Sequence, residues 1–386
     1  MRRYDCLAAI AGGLTDELVV ANLANTSTEW RSLRPHDGNL YFVGMGMVTP
    51  YALGLALALP HRPVLALDGD GGILFELSVL GTMAQTAPRN LCVVIFDNGG
   101  YVSTGRTPAS RSLSGNGYDI AAVARASGLA QVHRVESVDD FAAAVRAALK
   151  EGAGPTVIVA RTGPEQAFVG TSLMDGRENK YRFARYIEAT EKLTLLRPSA
   201  KEHGEPPKPD PTFAPVAADA DFGTVLAEGL HECGVDFAIG LPCSGMAAAQ
   251  AICMTDNAMR YVPVAHEGTG LGICAGAWLG GKKPVAMIEN FGVFASVYHL
   301  LRGHWTFGIP TLMIAEWRGD WGEQEFFGDS GDMTEEVLVA MRANHRVVSR
   351  MEDVKPAIRD GLRWMSMALR PTTILPTYEL TRLRQR

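Results

Sequence analysis

The sequence predicts an α/β protein: two open, mostly parallel sheets joined by a proline-rich tether. Three observations carry that prediction. Short apolar runs alternate with helical stretches through the first half of the chain, a polar and proline-dense segment breaks the rhythm, and the same alternation resumes after it. Strands that alternate with helices build a parallel sheet with both faces covered. A length of 386 residues allows two or three domains.

The chain opens on MRRYDCLAAIAGGL, whose basic tip and apolar patch resemble a weak signal peptide. Asp5 interrupts the patch and a strand-like run follows at once, so a first helix is expected instead. Strands are expected at Leu18–Asn22, Leu40–Val43, Val64–Leu67, Leu91–Phe96 and Thr156–Ala160, with helices at Pro50–Leu59, Ile73–Gln85 and Val138–Leu149. Leu40–Pro60 carries no ionic side chain and is long enough to cross a bilayer, but Gly44, Gly46, Pro50 and Gly54 fall within it. A glycine turn and a buried helix fit it better. Six prolines (Pro198, Pro206, Pro207, Pro209, Pro211 and Pro215) then stand among Lys, Glu and Asp. This composition reads as a linker, and as polyproline it reaches roughly 50–60 Å at about 3.1 Å per residue. Beyond it, strands are expected at Asp236–Gly240, Arg260–Val264, Val285–Ile288, Thr311–Ala315 and Thr372–Leu375. Helices are expected at Phe222–Glu232, Gly268–Trp278, Ala295–Trp305, Thr334–Met341 and Val354–Met367.

Composition narrows the classes. Residues are 47% hydrophobic and 20% charged, as in a soluble globular enzyme. A formal net charge of −6 disfavours a nucleic-acid partner and offers no polybasic anchor for a membrane. The six cysteines are scattered and form no CxxC pair, so they read as buried thiols of a reducing, cytoplasmic compartment.

The sharpest signal is LALDGDGGILFELSVLGTMAQTAPRNLCVVIFDN, Leu65 to Asn98. In an open parallel sheet, ligands sit at the carboxyl ends of strands. Asp70 and Asn98 each follow an apolar strand, and one right-handed crossover brings both to the same rim. A carboxylate, an amide oxygen and a nearby backbone carbonyl make an all-oxygen half-shell for Mg²⁺, which completes its shell with phosphate oxygens and water. Gly71 and Gly72 precede a helix whose free N–H groups can face an anion. Singly, either half reads equally well as an Asp-Gly turn or a loop-capping asparagine. Together, at this spacing, they read as a clamp for magnesium-bound diphosphate. VGMGM, Val43 to Met47, sets Met45 between two glycines. Backbone can approach a flat ring there, although a plain βα turn with a core methionine is the simpler reading of that stretch alone.

These residues carry a resemblance. GDG followed by Asp97-Asn98 is similar to the diphosphate motif of thiamine-diphosphate enzymes. DELVVANLANTSTEW, YFVGMGMVTPYALGLALAL and FDNGGYVSTG resemble the diphosphate-binding half of sulfopyruvate and phosphonopyruvate decarboxylases. The resemblance implies that the side chains of Asp70 and Asn98 and the carbonyl of Gly100 hold Mg²⁺. It implies that Thr26 and Ser27 touch the diphosphate, and that Gly44, Met45, Gly46, Gly71, Gly72 and Tyr101 complete the cofactor surface.

The second half holds VPVAHEGTGLGICAGAWLGGKKP, in which Glu267 ends a strand and opens a helix. Gly268, Gly270, Gly272 and Gly276 each cost up to about 1 kcal/mol in a helix, so a cofactor or another element must approach its backbone. Glu267 as a simple helix-terminus charge is one reading. A dinucleotide loop is another, with Glu289 as the ribose acid, and would make the chain a nicotinamide-dependent oxidoreductase, but the third glycine of GxGxxG falls on Ile273. VDFAIGLPCS, the stretch around Glu267 and AEWRGDWGEQ instead resemble the pyrimidine-binding subunit type of sulfopyruvate decarboxylase. The resemblance implies that Glu267 bonds the aminopyrimidine nitrogen and favours its imino tautomer, that Met45 keeps the cofactor bent, and that Asn290 serves catalysis.

By this comparison residues 1–190 are a diphosphate-binding domain, 191–218 a linker and 219–386 a pyrimidine-binding domain. The active site would lie between the two domain types in a homodimer or homotetramer. The expected reaction is non-oxidative decarboxylation of a 2-oxo acid of the sulfopyruvate or phosphonopyruvate type to an aldehyde and carbon dioxide, with an aromatic or other bulky 2-oxo acid as the alternative substrate and carboligation as the alternative outcome. Departures from the family pattern are the reversed order of halves, Arg106-Thr107 in place of Gly-Gln, Gly44 in place of serine, and the bulk of Phe291, Phe294 and Tyr298 after Asn290. Arg106, His299, Arg302 and His304 are candidates to meet an acidic substrate tail.

Overall fold

The structure, a computed structural model, describes residues 1–105, 107–108, 118–152, 154–170, 174–196, 210–320 and 322–382. The chain forms two compact units, Met1–Lys192 and Leu193–Arg386.

In the first unit, β1 (Leu18–Asn22), β2 (Asn39–Val43), β3 (Val64–Gly69) and β4 (Leu91–Asp97) precede a two-residue hairpin, β5 (Gly100–Tyr101) with β6 (Thr107–Pro108). β7 (Gln131–Val135) and β8 (Thr156–Arg161) follow, and the sheet runs β2-β1-β3-β4-β8-β7 with every pairing parallel. β1 and β4 are buried at every residue, which is why they read as unbroken apolar runs. Strand order reverses between β1 and β3, so their outgoing loops leave on opposite faces and open a crevice at the strands' carboxyl ends. β3 and β4 pair from Val64–Leu91 to Gly69–Phe96, which sets Asp70 and Asn98 on one rim, as expected.

The second unit has β9 (Phe237–Gly240), β10 (Arg260–Pro263), β11 (Pro284–Glu289), β12 (Leu312–Glu316), β13 (Asn344–Val348) and β14 (Thr372–Pro376). Its sheet is also parallel and runs β10-β9-β11-β12-β14-β13. A core of Phe222, Leu226, Leu230, Ile314 and Ile358, among others, fills one face.

Four features differ from the sequence expectation. The edge strands β7 and β13 are new; QVHRV and NHRVV are largely polar, as edges exposed on one side are. The helix expected at Ile73–Gln85 is two, Asp70–Phe75 and Ser78–Thr86, broken at Glu76. The helix expected at Ala295–Trp305 is preceded by Asn290–Ala295, breaks at Ser296 and continues as Val297–His299 and a π-helical turn, Leu300–Trp305. In the expected linker, Pro198, Pro206, Pro207 and Pro209 lie outside the described residues, whereas Phe213 and Val216 pack against the second core. No helix among the described residues is long and apolar enough to cross a membrane. The helix within Leu40–Pro60, Val48–Ala58, is instead buried on all sides. A helix does form at the start, Arg3–Ala11. All six cysteines are buried free thiols.

Candidate functional site

The crevice of the first unit is a cleft with about 540 Å³ of empty space, its mouth included. Thr26, Met45, Asp70, Gly71 and Gly72 line it together with Asn98, Gly100 and Tyr101. These residues come from four loops, and the strand ends converge them. Asp70 opens its short helix, and its carboxylate is held at both oxygens: Gly71 N–H donates to Oδ1 and Gly99 N–H to Oδ2, each at 2.8 Å. Gly99 has φ +78°, the left-handed turn that aims its N–H at Asp70. Asn98 Oδ1 accepts the Gly100 N–H at 3.0 Å, an Asx turn that fixes the amide.

The glycines of GDGG are required by crowding. A Cβ on Gly71 would run into the Tyr101 ring, and one on Gly72 into the Asp68 carboxylate. Asp68 is 1% exposed. Burial pushes its carboxyl up to about 6. It accepts from Asn22 Nδ2 (3.1 Å), Thr49 Oγ1 (2.9 Å) and Gly69 N–H (2.8 Å), so it ties the end of β1 to the turn after β3.

Not every expected residue faces the cleft. Ser27 is fully buried; its hydroxyl donates to the Asn22 carbonyl at 2.6 Å and accepts the Phe42 N–H at 2.7 Å. Gly44 and Gly46 shape the turn that presents Met45 rather than lining the cleft, and Gly46 takes φ +80° beneath the Phe75 ring. Conversely Arg3, Asn22 and Ala24 line the cleft without having been singled out. Arg3 sits far from any motif. Ala24 betrays itself only by a backbone at φ 60°, ψ −134°, a strained conformation for a residue with a Cβ.

An oxygen-only donor set at the rim fits a hard cation, and the glycine-floored wall beside it fits an anion that backbone approaches closely. The residues present therefore fit a magnesium-bound diphosphate.

In the second unit Glu267 opens the helix Glu267–Leu279, which is buried on all sides, and is itself 9% exposed. The glycines that made this helix costly leave room for neighbours. A Cβ on Gly268 would strike the His299 ring, and one on Gly270 would sit 2.6 Å from Ile239 of β9. Gly292 likewise makes room for Glu267, whose Cγ lies 2.6 Å from where a Cβ would stand. His266 meets His299 edge-on at 5.7 Å, so two imidazoles flank the carboxylate's helix end.

Asn290 is fully buried, and its Nδ2 faces the Arg318 carbonyl (2.9 Å), the Ser330 carbonyl (3.3 Å) and Thr334 Oγ1 (2.8 Å). His304 is an interior residue, its ring nitrogens against the carbonyls of Ile309 and Leu271. Burial lowers it to about 4, so it is uncharged at neutral pH and does not serve as a cation for an acidic tail. Arg302 is exposed, and Arg106 lies outside the described residues. Phe291 packs on Phe294 and Phe327, ring centroids 6.3 and 6.0 Å apart.

Comparison with known proteins agrees with the cleft. The family model "Thiamine pyrophosphate enzyme, C-terminal TPP binding domain" matches residues 22–160, from the end of β1 to β8. Phosphonopyruvate decarboxylase of Streptomyces hygroscopicus is 43% identical over 141 residues, 36% of this chain and 34% of that protein, so the match spans about a third of that relative. The beta subunit of sulfopyruvate decarboxylase from Methanococcus maripaludis is 31% identical over 189 residues, 49% of this chain and 98% of the subunit. Among solved structures, a transketolase from Campylobacter jejuni superimposes with a TM-score of 0.63 at 12% identity, covering 96% of this chain and 73% of its own; at that identity the likeness concerns the fold. Nearly the whole of one sulfopyruvate decarboxylase subunit is thus matched by this chain, which belongs to the family of thiamine-pyrophosphate-dependent sulfopyruvate and phosphonopyruvate decarboxylases.

Proposed function

We propose that the chain catalyses non-oxidative decarboxylation of a 2-oxo acid to an aldehyde and carbon dioxide, with thiamine diphosphate and Mg²⁺, on an acid of the sulfopyruvate or phosphonopyruvate type named by its relatives. The single observation that carries this reading is the cleft that gathers Asp70, Asn98, Gly100 and Thr26 at the strand-order reversal of the first sheet. In this reading the first unit binds diphosphate and the second binds pyrimidine. A model described as C-terminal matching residues 22–160 supports the reversed order of the two halves.

Bound thiamine diphosphate supplies the electron sink on which carbon dioxide leaves. The chain's residues position it and manage protons. Asp70, Asn98 and the Gly100 carbonyl would hold Mg²⁺, Thr26 and the backbone at Gly71–Gly72 would meet the diphosphate, and Met45 would support the cofactor's rings. Glu267, only 9% exposed at the start of its helix, would hold a proton at a pyrimidine nitrogen. Asn290 acts as a positioning residue: its amide ties the short helix Asn290–Ala295, whose Gly292 makes room for Glu267, to Arg318 and to the helix Gly328–Ala340. The functional protein is read as at least a homodimer of the cytoplasm.

The test is carbon dioxide release from a panel of anionic and aromatic 2-oxo acids, with and without thiamine diphosphate, Mg²⁺ and EDTA. Release from an anionic 2-oxo acid that needs both cofactors and stops with EDTA is expected. Release from none of the panel, with tight cofactor binding, would overturn the decarboxylase reading. Product formed only when an acceptor aldehyde is added would assign carboligation.

A further inference from the structure

Arg3 lines the same cleft as Thr26 and Asp70 and is only 8% exposed. Its Nε donates to Glu29 Oε2 at 2.8 Å and its Nη2 to Oε1 at 3.0 Å, a two-pronged pair. Glu29 is fully buried and also accepts the Ala167 N–H at 3.1 Å, so the carboxylate is fixed from two directions. A guanidinium carries five N–H groups. Two are spent on Glu29, and among the described residues nothing accepts from the rest. Those remaining donors belong to a residue of the cleft wall.

The fold alone gives this pair little reason to exist. Replacing a buried ion pair with apolar groups of similar volume is often neutral or stabilising. What the pair does accomplish is to hold a planar, permanently charged fork in one orientation, so that little entropy is lost when an anion arrives. The charge balance of the cleft points the same way. A diphosphate brings more negative charge than one Mg²⁺ offset by the Asp70 carboxylate neutralises.

Resting on the proposed function, we infer that Arg3 is a second anion-binding group of this cleft: held by Glu29, it donates its free N–H groups to the diphosphate, and Glu29 is its positioning residue. The site thus grips its ligand from the metal side and from the amino-terminal helix, two elements distant in sequence.

The test titrates magnesium pyrophosphate and, separately, thiamine diphosphate into the full chain by calorimetry, with melting temperatures to confirm folding. Arg3→Met is expected to weaken magnesium pyrophosphate by about tenfold or more, the loss of a charge-assisted pair, and to flatten the salt dependence of binding. Arg3→Lys, which keeps charge and loses the fork, should fall between it and the wild type. Glu29→Gln should weaken binding with Arg3 still present. Unchanged affinity in a folded Arg3→Met overturns the inference and leaves a structural pair. Should that variant fail to fold, unchanged affinity in both Arg3→Lys and Glu29→Gln overturns it equally. A wild-type chain that binds neither pyrophosphate nor thiamine diphosphate sinks the proposed function itself, whereas tight wild-type binding with unaffected variants removes only Arg3.

Discussion

The two units trace one path and use it differently. With strands counted in chain order and the small hairpin set aside, each sheet runs 2-1-3-4-6-5. In each, a six-residue helix follows the third strand, Asp70–Phe75 in the first and Asn290–Ala295 in the second. Asp70 and Asn290 therefore hold the same position. Asp70 has its carboxylate braced by two N–H groups at the rim of an open cleft. Asn290 has turned its amide inward onto the Arg318 carbonyl and the first turn of the helix Gly328–Ala340. Topology supplies a crevice to both sheets; the turn that follows the strand decides whether the side chain meets a ligand or a wall.

Division of labour between the units makes the largest prediction. Glu267→Gln should lower turnover by about 10²–10⁴-fold, the usual worth of a positioned proton-transfer group, while affinity for magnesium pyrophosphate stays within about twofold. Steady-state rates and calorimetry on one preparation check it. A parallel loss of pyrophosphate affinity would break the comparison, because a residue of the second unit would then be needed to hold the diphosphate.

Next in size is the pair of positional twins. Asp70→Ala should weaken thiamine diphosphate binding in the presence of Mg²⁺ by about 100-fold, at the upper end of what even indirect disturbance of a metal site costs, with a smaller stability loss than Asn290→Ala because cleft water can reach the Gly71 and Gly99 N–H groups that the carboxylate leaves. Asn290→Ala should do the opposite. It removes a fully buried amide whose two N–H groups are shared among the Arg318 and Ser330 carbonyls and the Thr334 hydroxyl, which costs about 2 kcal/mol of stability or more, read by urea unfolding, with pyrophosphate affinity retained. If both variants fail in the same way, the two positions share a role and the contrast drawn from their hydrogen bonds is wrong.

Legibility in the sequence followed burial. β1, β4 and β12 were readable because strands covered on both faces must be apolar throughout. QVHRV and NHRVV were not, because an edge exposed on one side needs no such run. At the site, Asp70 and Asn98 were legible because each ends an apolar strand, and the strand count places both on one rim. Ser27 was expected at the diphosphate, yet its hydroxyl braces the β1–β2 junction; residue type and position cannot show which way a hydroxyl points. Arg3 and Asn22 escaped because their place in the cleft depends on long-range pairing, with Glu29 for one and Asp68 for the other. The helix breaks at Glu76 and Ser296 escaped because neither carries glycine or proline.

The smallest effect concerns strain. Ala24, on the loop after β1, takes φ 60°, ψ −134° and lines the cleft. The matching loop after β9 has no positive-φ residue, and Cys243 there is extended at φ −137°, ψ 148°. A Cβ in Ala24's conformation costs roughly 1–3 kcal/mol, whereas glycine would lose about 0.4–1 kcal/mol through its greater freedom in the unfolded chain. Ala24→Gly should therefore stabilise the chain by about 1 kcal/mol, raising the melting temperature by about 2–4 °C. The gain should be confined to the first unit, whose strained loop lines the cleft. A fall in melting temperature would mean that contacts of the Ala24 methyl outweigh its torsional cost, and the first loop would then be no more strained in effect than the second.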